Sequence, residues 1–209
     1  MRQGGIMENH PIPIAGLTPA ENSALQRRGY TPVRLLGEGG MGVVILARHD
    51  ALGEDRAVKI LRHAGRGAKQ RALREARIMS RLRQVPGIVP VYDAWLDEAT
   101  EVPYIAMEYM AGGTLAQHCA DLTFTGAVKL VADLLDTLER VHEKRLIHRD
   151  IKPENVMFRP DDPRPYLGDF GIVATPEPAE GGGRTRIGVP MGTPAFMAPE
   201  QARSAAEVD

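Results

Sequence analysis

The sequence predicts an α+β chain in two parts, a small β-rich lobe followed by the opening of a helical one. Three observations predict it. Apolar, β-branched runs separated by glycine-containing turns crowd residues 30–109. The pair Gly112-Gly113 then ends that pattern. Beyond it a long segment carries apolar residues at steps of three and four, the spacing of an amphipathic helix.

Residues 1–29 hold Gly4, Gly5, Pro11, Pro13, Gly16 and Pro19 with no sustained period, and read as a flexible, loosely ordered extension. From Tyr30 the text changes. Strands are expected over 30–36, 43–48 and 55–61, each rich in Val, Ile and Leu. A helix over 68–83 follows, stopped by Pro86-Gly87. Apolar runs over 88–96 and 104–109 complete a five-stranded antiparallel sheet with one main helix. A short helix is expected over 114–120 and a long one over 125–144, whose stripe is Val128, Val131, Leu134, Leu135, Leu138 and Val141. Short strands and loops dense in Pro, Gly and charge come after it. The domain reading is an extension over 1–29 and one domain over 30–209, its first lobe at about 30–110 and a partial second lobe at about 111–209. A cleft between two lobes is a common ligand site.

Composition narrows the functional classes. A hydrophobic fraction of 43% and a charged fraction of 25% are those of an ordinary globular protein with a core. The net charge of −1 offers no global attraction to nucleic acid or to an anionic membrane. The single cysteine, Cys119, cannot form an intrachain disulfide, and no cluster of Cys and His suggests zinc. No apolar run approaches membrane-spanning length, and the first thirty residues lack the order of a signal peptide. The expected location is the cytoplasm.

Four segments carry chemistry. Gly37-Glu38-Gly39-Gly40-Met41-Gly42-Val43-Val44 sits between two expected strands. Its glycines permit positive φ and let backbone N–H groups approach an anion. Alone it is equally a plain glycine-rich hairpin. A Rossmann turn needs a helix where a strand follows, and a Walker loop needs a Gly-Lys-Ser/Thr that is absent. Ala57-Val58-Lys59-Ile60 lies on the third strand, where alternation puts Ala57 and Lys59 on one face. A lysine charge between covered faces needs partners. Glu75 on the next helix and phosphate oxygens are the candidates. His148-Arg149-Asp150-Ile151-Lys152-Pro153-Glu154-Asn155 packs an acid, a lysine and an amide into six residues after the long helix. Phosphoryl transfer needs such a set: a carboxylate for the hydroxyl proton, a cation for developing charge and an oxygen ligand for Mg²⁺. Asp169-Phe170-Gly171 supplies a second carboxylate.

With Gly192-Thr193-Pro194 and Ala198-Pro199-Glu200 these segments stand in the order of the protein-kinase signature set. From Tyr30 onward the chain resembles a bacterial serine/threonine protein kinase catalytic domain of the eukaryotic type. The resemblance implies the two-lobe kinase fold, ATP and Mg²⁺ as cofactors, and a protein substrate with a Ser or Thr acceptor. It implies that Gly37, Glu38, Gly39, Gly40 and Gly42 cover the ATP phosphates, and that Val44 and Ala57 roof the adenine pocket. Lys59 would hold the α- and β-phosphates and pair with Glu75. Met107 falls at the gatekeeper, Glu108 and Met110 would bond adenine through their backbone, and Met157 would floor the pocket. Asp150 resembles the catalytic base, with Lys152 beside it, and Asn155 and Asp169 the Mg²⁺ ligands. Lys152 and Thr193 match the Ser/Thr branch. Arg149 marks activation by phosphorylation of the segment after Asp169, with Thr185 the first candidate and Thr175 the second.

Thr114 departs from relatives that carry an acid for the ribose. In the family a buried helix follows Ala-Pro-Glu, whereas this sequence ends at Asp209. The resemblance therefore implies a C-terminally incomplete second lobe, poor cover for the long helix and little activity from the 209-residue chain alone. Two further readings compete, a nucleotide-binding module without catalysis and a small-molecule phosphotransferase. Lys59, Asp150 and Asp169 weigh against the first, Lys152-Pro153-Glu154 and Ala198-Pro199-Glu200 against the second.

Overall fold

Period-two alternation of apolar residues builds the first lobe. Strands β1 (Tyr30–Gly39), β2 (Gly42–His49), β3 (Glu54–Ile60), β4 (Val91–Leu96) and β5 (Pro103–Glu108) form one antiparallel sheet in the order β1-β2-β3-β5-β4. The computed structural model describes residues 14–39, 42–62, 81–170 and 194–196. Odd and even positions separate by face. Val43, Ile45, Val58, Ile60, Tyr104 and Ala106 enter one core cluster. Val44, Ala57, Ile105 and Met107 face the other, which continues into the second lobe. The expected five strands are all present, each within three residues of its predicted ends. The expected helix over 68–83 lies mostly outside the described residues.

Two expectations need correction. Residues 19–27 are not loosely ordered, because Pro19–Arg27 is a helix, α1. Thr18 caps it: its Oγ accepts from the backbone N–H of Glu21, and the Glu21 carboxylate accepts from the N–H of Thr18. Ala24 and Leu25 are buried in the sheet's outer cluster beside Tyr30 and Ile45. One turn of apolar side chain anchored in this way is enough to order a segment whose glycines and prolines otherwise suggest none.

The second correction concerns the run over 88–96. Pro90 has no N–H for a ladder and divides the run. Residues before it leave the sheet, and Val89 N–H donates to the Leu167 carbonyl at 2.9 Å. Only Val91–Leu96 joins the sheet. The segment ahead of β4 thus tethers the first lobe to the second.

In the second lobe, α2 (Leu115–His118) leads through a 3₁₀ turn, Cys119–Asp121, to α3 (Phe124–Glu143), capped by the Thr123 hydroxyl. The stripe expected on α3 divides in two. Leu134, Leu138 and Val141 pack inward, and Thr137 is buried with them. Val128, Val131 and Leu135 are exposed, together with Phe124. After the 3₁₀ turn Pro153–Asn155, strands β6 (Val156–Arg159) and β7 (Asp162–Leu167) pair as a hairpin against α3. Gly112 and Gly113 exchange backbone hydrogen bonds with Phe158, so the chain entering the second lobe is stitched to β6. No helix among the described residues is long and apolar enough to cross a membrane.

Candidate active site

The described part of the glycine-rich segment ends β1 and opens β2, with Gly37 opposite Val44, Glu38 opposite Val43 and Gly39 opposite Gly42. The three described glycines differ in kind. A Cβ on Gly42, whose φ is +142°, would sit 1.9 Å from the Ile60 carbonyl oxygen, so the fold itself requires glycine there. Among the described residues, a Cβ on Gly37 or Gly39 would meet nothing within 4 Å. Their smallness serves whatever the hairpin covers, not the hairpin's own packing. Glu38 is exposed, with Arg62 at 3.8 Å.

Below the hairpin the cleft is apolar. Ala57, Met107 and Met110 are buried in the inner cluster, with Val44 and Met157 packed against them. Leu36, the residue before Gly37, packs there too and was not singled out from the sequence. The Glu108 N–H donates to the Pro90 carbonyl at 2.9 Å. Its carboxylate receives two hydrogen bonds from Arg159 on β6, at 2.6 and 2.8 Å. Arg159 stands 51 positions away in the chain, and nothing local in the sequence announces that pairing.

Lys59 lies on the cleft face of β3, as alternation predicts, and its Nζ is 2.8 Å from Asp169 Oδ1. Burial pushes the Asp169 carboxyl upward. The charge and hydrogen bond of Lys59 outweigh it and hold the group below the usual carboxylate range. Asp169 has a φ of +50° and Arg149 one of +66°, left-handed backbone in two non-glycine residues that flank the chemistry.

Asp150, Lys152 and Asn155 come together as the sequence spacing implies. Asp150 Oδ2 receives both the Lys152 ammonium and the Asn155 side-chain N–H, each at 2.9 Å. The same Asn155 amide also donates to the Asp150 backbone carbonyl at 2.8 Å. Pro153 opens the 3₁₀ turn that presents Asn155, which is buried. The Asn155 carbonyl in turn accepts from Gly168 N–H at 2.9 Å, fixing the backbone just before Asp169.

His148 organises both loops, a role the sequence reading did not give it. Its Nε2 bonds the Gly168 carbonyl at 2.9 Å and its Nδ1 accepts from Asp150 N–H at 3.4 Å, so the neutral Nε2–H form satisfies both. The ring is buried against Phe170, 4.4 Å between centroids. Burial lowers its pKa below the ordinary imidazole value despite the bond to Gly168. Glu75, Gly40, Gly171, Thr175, Thr185, Thr193 and Glu200 lie outside the described residues.

A family model described as the protein kinase domain matches residues 30–208. The chain belongs to that family. Curated relatives carry the same domain. The serine/threonine-protein kinase pkn2 of Myxococcus xanthus is 37% identical over 186 residues, which are 83% of this chain and 21% of that protein. The kinase pkn3 of the same organism is 39% identical over 184 residues, 83% of this chain and 33% of that protein. The DNA damage-responsive serine/threonine-protein kinase RqkA of Deinococcus radiodurans is 35% identical over 179 residues, 83% of this chain and 26% of that protein. The aligned kinase domain thus spans a third or less of the length of these relatives. Residues 19–27, which form α1, precede the family match.

Proposed function

We propose that this kinase domain transfers the γ-phosphoryl group of ATP to a serine or threonine hydroxyl of a protein, with Asp150 as the base. The observation that carries the proposal is the convergence of Lys152 and Asn155 on one oxygen of Asp150. With Oδ2 held by two donors, the carboxylate plane is fixed and Oδ1 is the oxygen offered to a substrate hydroxyl. Lys152 is positioned to meet negative charge that develops on the transferring group.

Bound ATP supplies the phosphoryl group, and Mg²⁺ neutralises its charge. The residues fit both. Asn155, whose N–H is committed to Asp150, has its amide oxygen for a hard cation, and Asp169 has a carboxylate kept ionised by Lys59. One carboxylate and one amide oxygen would hold a hard, oxygen-preferring cation such as Mg²⁺. Gly37 and Gly39 have open space where a Cβ would stand, as a phosphate cover requires. Val44, Ala57 and Met157 give apolar contact to a flat base, and the backbone of Glu108 and Met110 gives its polar edge partners. Lys59 holds the α- and β-phosphates. The family pattern would give it a second carboxylate partner in Glu75. A kinase drawing on the ATP pool is placed in the cytoplasm.

The test is incorporation of label from γ-labelled ATP into Ser and Thr of a generic protein substrate by the full-length protein, with and without Mg²⁺. Mg²⁺-dependent phosphoserine or phosphothreonine is expected. Binding of ATP without transfer by the full-length protein would instead make it a nucleotide-binding module.

A further inference from the structure

Arg62 follows β3, three residues after Lys59, and its side chain is mostly buried at 20% exposure. Its guanidinium meets the carboxylate of Glu21 on α1 through two hydrogen bonds of 2.6 Å, and also bonds the carbonyl of Gly16. Glu21 is itself buried and caps α1, so this ion pair joins the helix start to the end of the lysine strand.

The same residue lies beside both strands that carry the glycines. Its Nη1 lies 3.8 Å from the Glu38 carboxylate on β1. Its backbone N–H lies against Gly42 on β2, 2.9 Å from where a Cβ there would stand. Helix α1 is held independently at its other end. Arg27 bonds Asp97 at 2.5 Å, Arg28 bonds Asp93 at 3.2 Å, and the Arg28 guanidinium lies over Trp95. The helix therefore does not hang from Arg62; Arg62 connects an anchored helix to the hairpin.

We propose that Arg62 is a positioning residue for nucleotide binding, which uses α1 as a fixed strut to hold the end of β1 at Glu38 and the start of β2 at Gly42 over the phosphates. The proposal rests on the reading that these strand ends cover ATP. Strand ends fixed beforehand lose less freedom when the ligand binds, so affinity for the phosphates rises without any direct contact from Arg62.

The experiment compares ATP and adenosine binding, by calorimetry, to the wild-type protein, Arg62→Met, Arg62→Lys and Val141→Ala, with the melting temperature of each recorded. Val141 is buried on α3 of the second lobe, away from α1 and the hairpin, and its truncation serves as the control for lost stability alone. Arg62→Met is expected to weaken ATP binding about three- to tenfold and to leave adenosine binding unchanged. Arg62→Lys should recover part of that loss, and Val141→Ala should lower the melting temperature without altering ATP affinity. Equal losses of ATP and adenosine affinity, or ATP affinity that follows melting temperature across all variants, would overturn the proposal. Absence of ATP binding by the wild-type protein would overturn the reading beneath it.

Discussion

Lys59 Nζ lies 2.8 Å from Asp169 Oδ1, joining strand β3 to the segment after β7 across 110 positions of chain. The contact places a cation from the first lobe beside the carboxylate proposed above as a Mg²⁺ ligand. It also keeps that carboxylate ionised in a site where burial opposes ionisation. Lys59→Met removes the largest of the influences that hold the Asp169 carboxyl down against its burial. Phosphoryl transfer by the full-length protein is expected to fall by roughly a hundredfold or more, measured as initial rate at saturating ATP. A rate near that of the wild type would remove Lys59 from the mechanism.

The glycines separate stability from binding. Gly42→Ala forces a Cβ onto the Ile60 carbonyl and should destabilise the domain by roughly 2–4 kcal/mol. Gly37→Ala and Gly39→Ala point into open space and should leave the unfolding midpoint nearly unchanged while raising KM for ATP. Urea unfolding and ATP kinetics on the three variants check this. A Gly42→Ala protein as stable as the wild type would contradict the close approach.

The Glu108–Arg159 pair ties the end of β5, proposed above to edge the adenine pocket, to hairpin β6–β7. Both side chains are mostly covered, so the pair is expected to couple by about 1 kcal/mol. A double-mutant cycle with Glu108→Gln and Arg159→Met, read by unfolding free energy, measures it. Additive single effects would show that the two side chains do not act together.

His148 should set an acid limit on stability. Its folded pKa is lowered by burial, so protonation favours the unfolded chain. Its contribution is complete above the ordinary imidazole value of about 6.5 and is lost as pH falls below it toward the lowered folded value. The urea midpoint is expected to drop between pH 7.5 and pH 5.5, and His148→Phe, though less stable at pH 7.5, should show a shallower drop. A wild-type midpoint that is flat across this interval would contradict a buried neutral imidazole.

Much of the site was legible because its residues lie close in sequence or follow strand alternation. Asp150, Lys152 and Asn155 occupy one loop, so spacing alone brings them together. Alternation along β3 places Ala57 and Lys59 on the cleft face, as observed. The family pattern supplied the rest of the expected ligand set. Contacts set by tertiary packing were not legible. Arg159 reaches Glu108, Arg62 reaches Glu21, and His148 reaches Gly168 only because distant elements dock. Helix α1 was missed because its glycine- and proline-rich surroundings outweighed one capping box, Thr18 to Glu21, and one buried pair, Ala24 and Leu25. Pro90 was an available signal that the run over 88–96 would divide.

The role of Asp150 is decided by phosphate transfer by Asp150→Asn in the full-length protein, with ATP binding measured on the same sample. The side chain keeps its shape and cannot take a proton, so transfer should fall by about 10²–10⁴-fold while ATP still binds. Transfer at the wild-type rate, with ATP binding intact, would show that Asp150 is not the base.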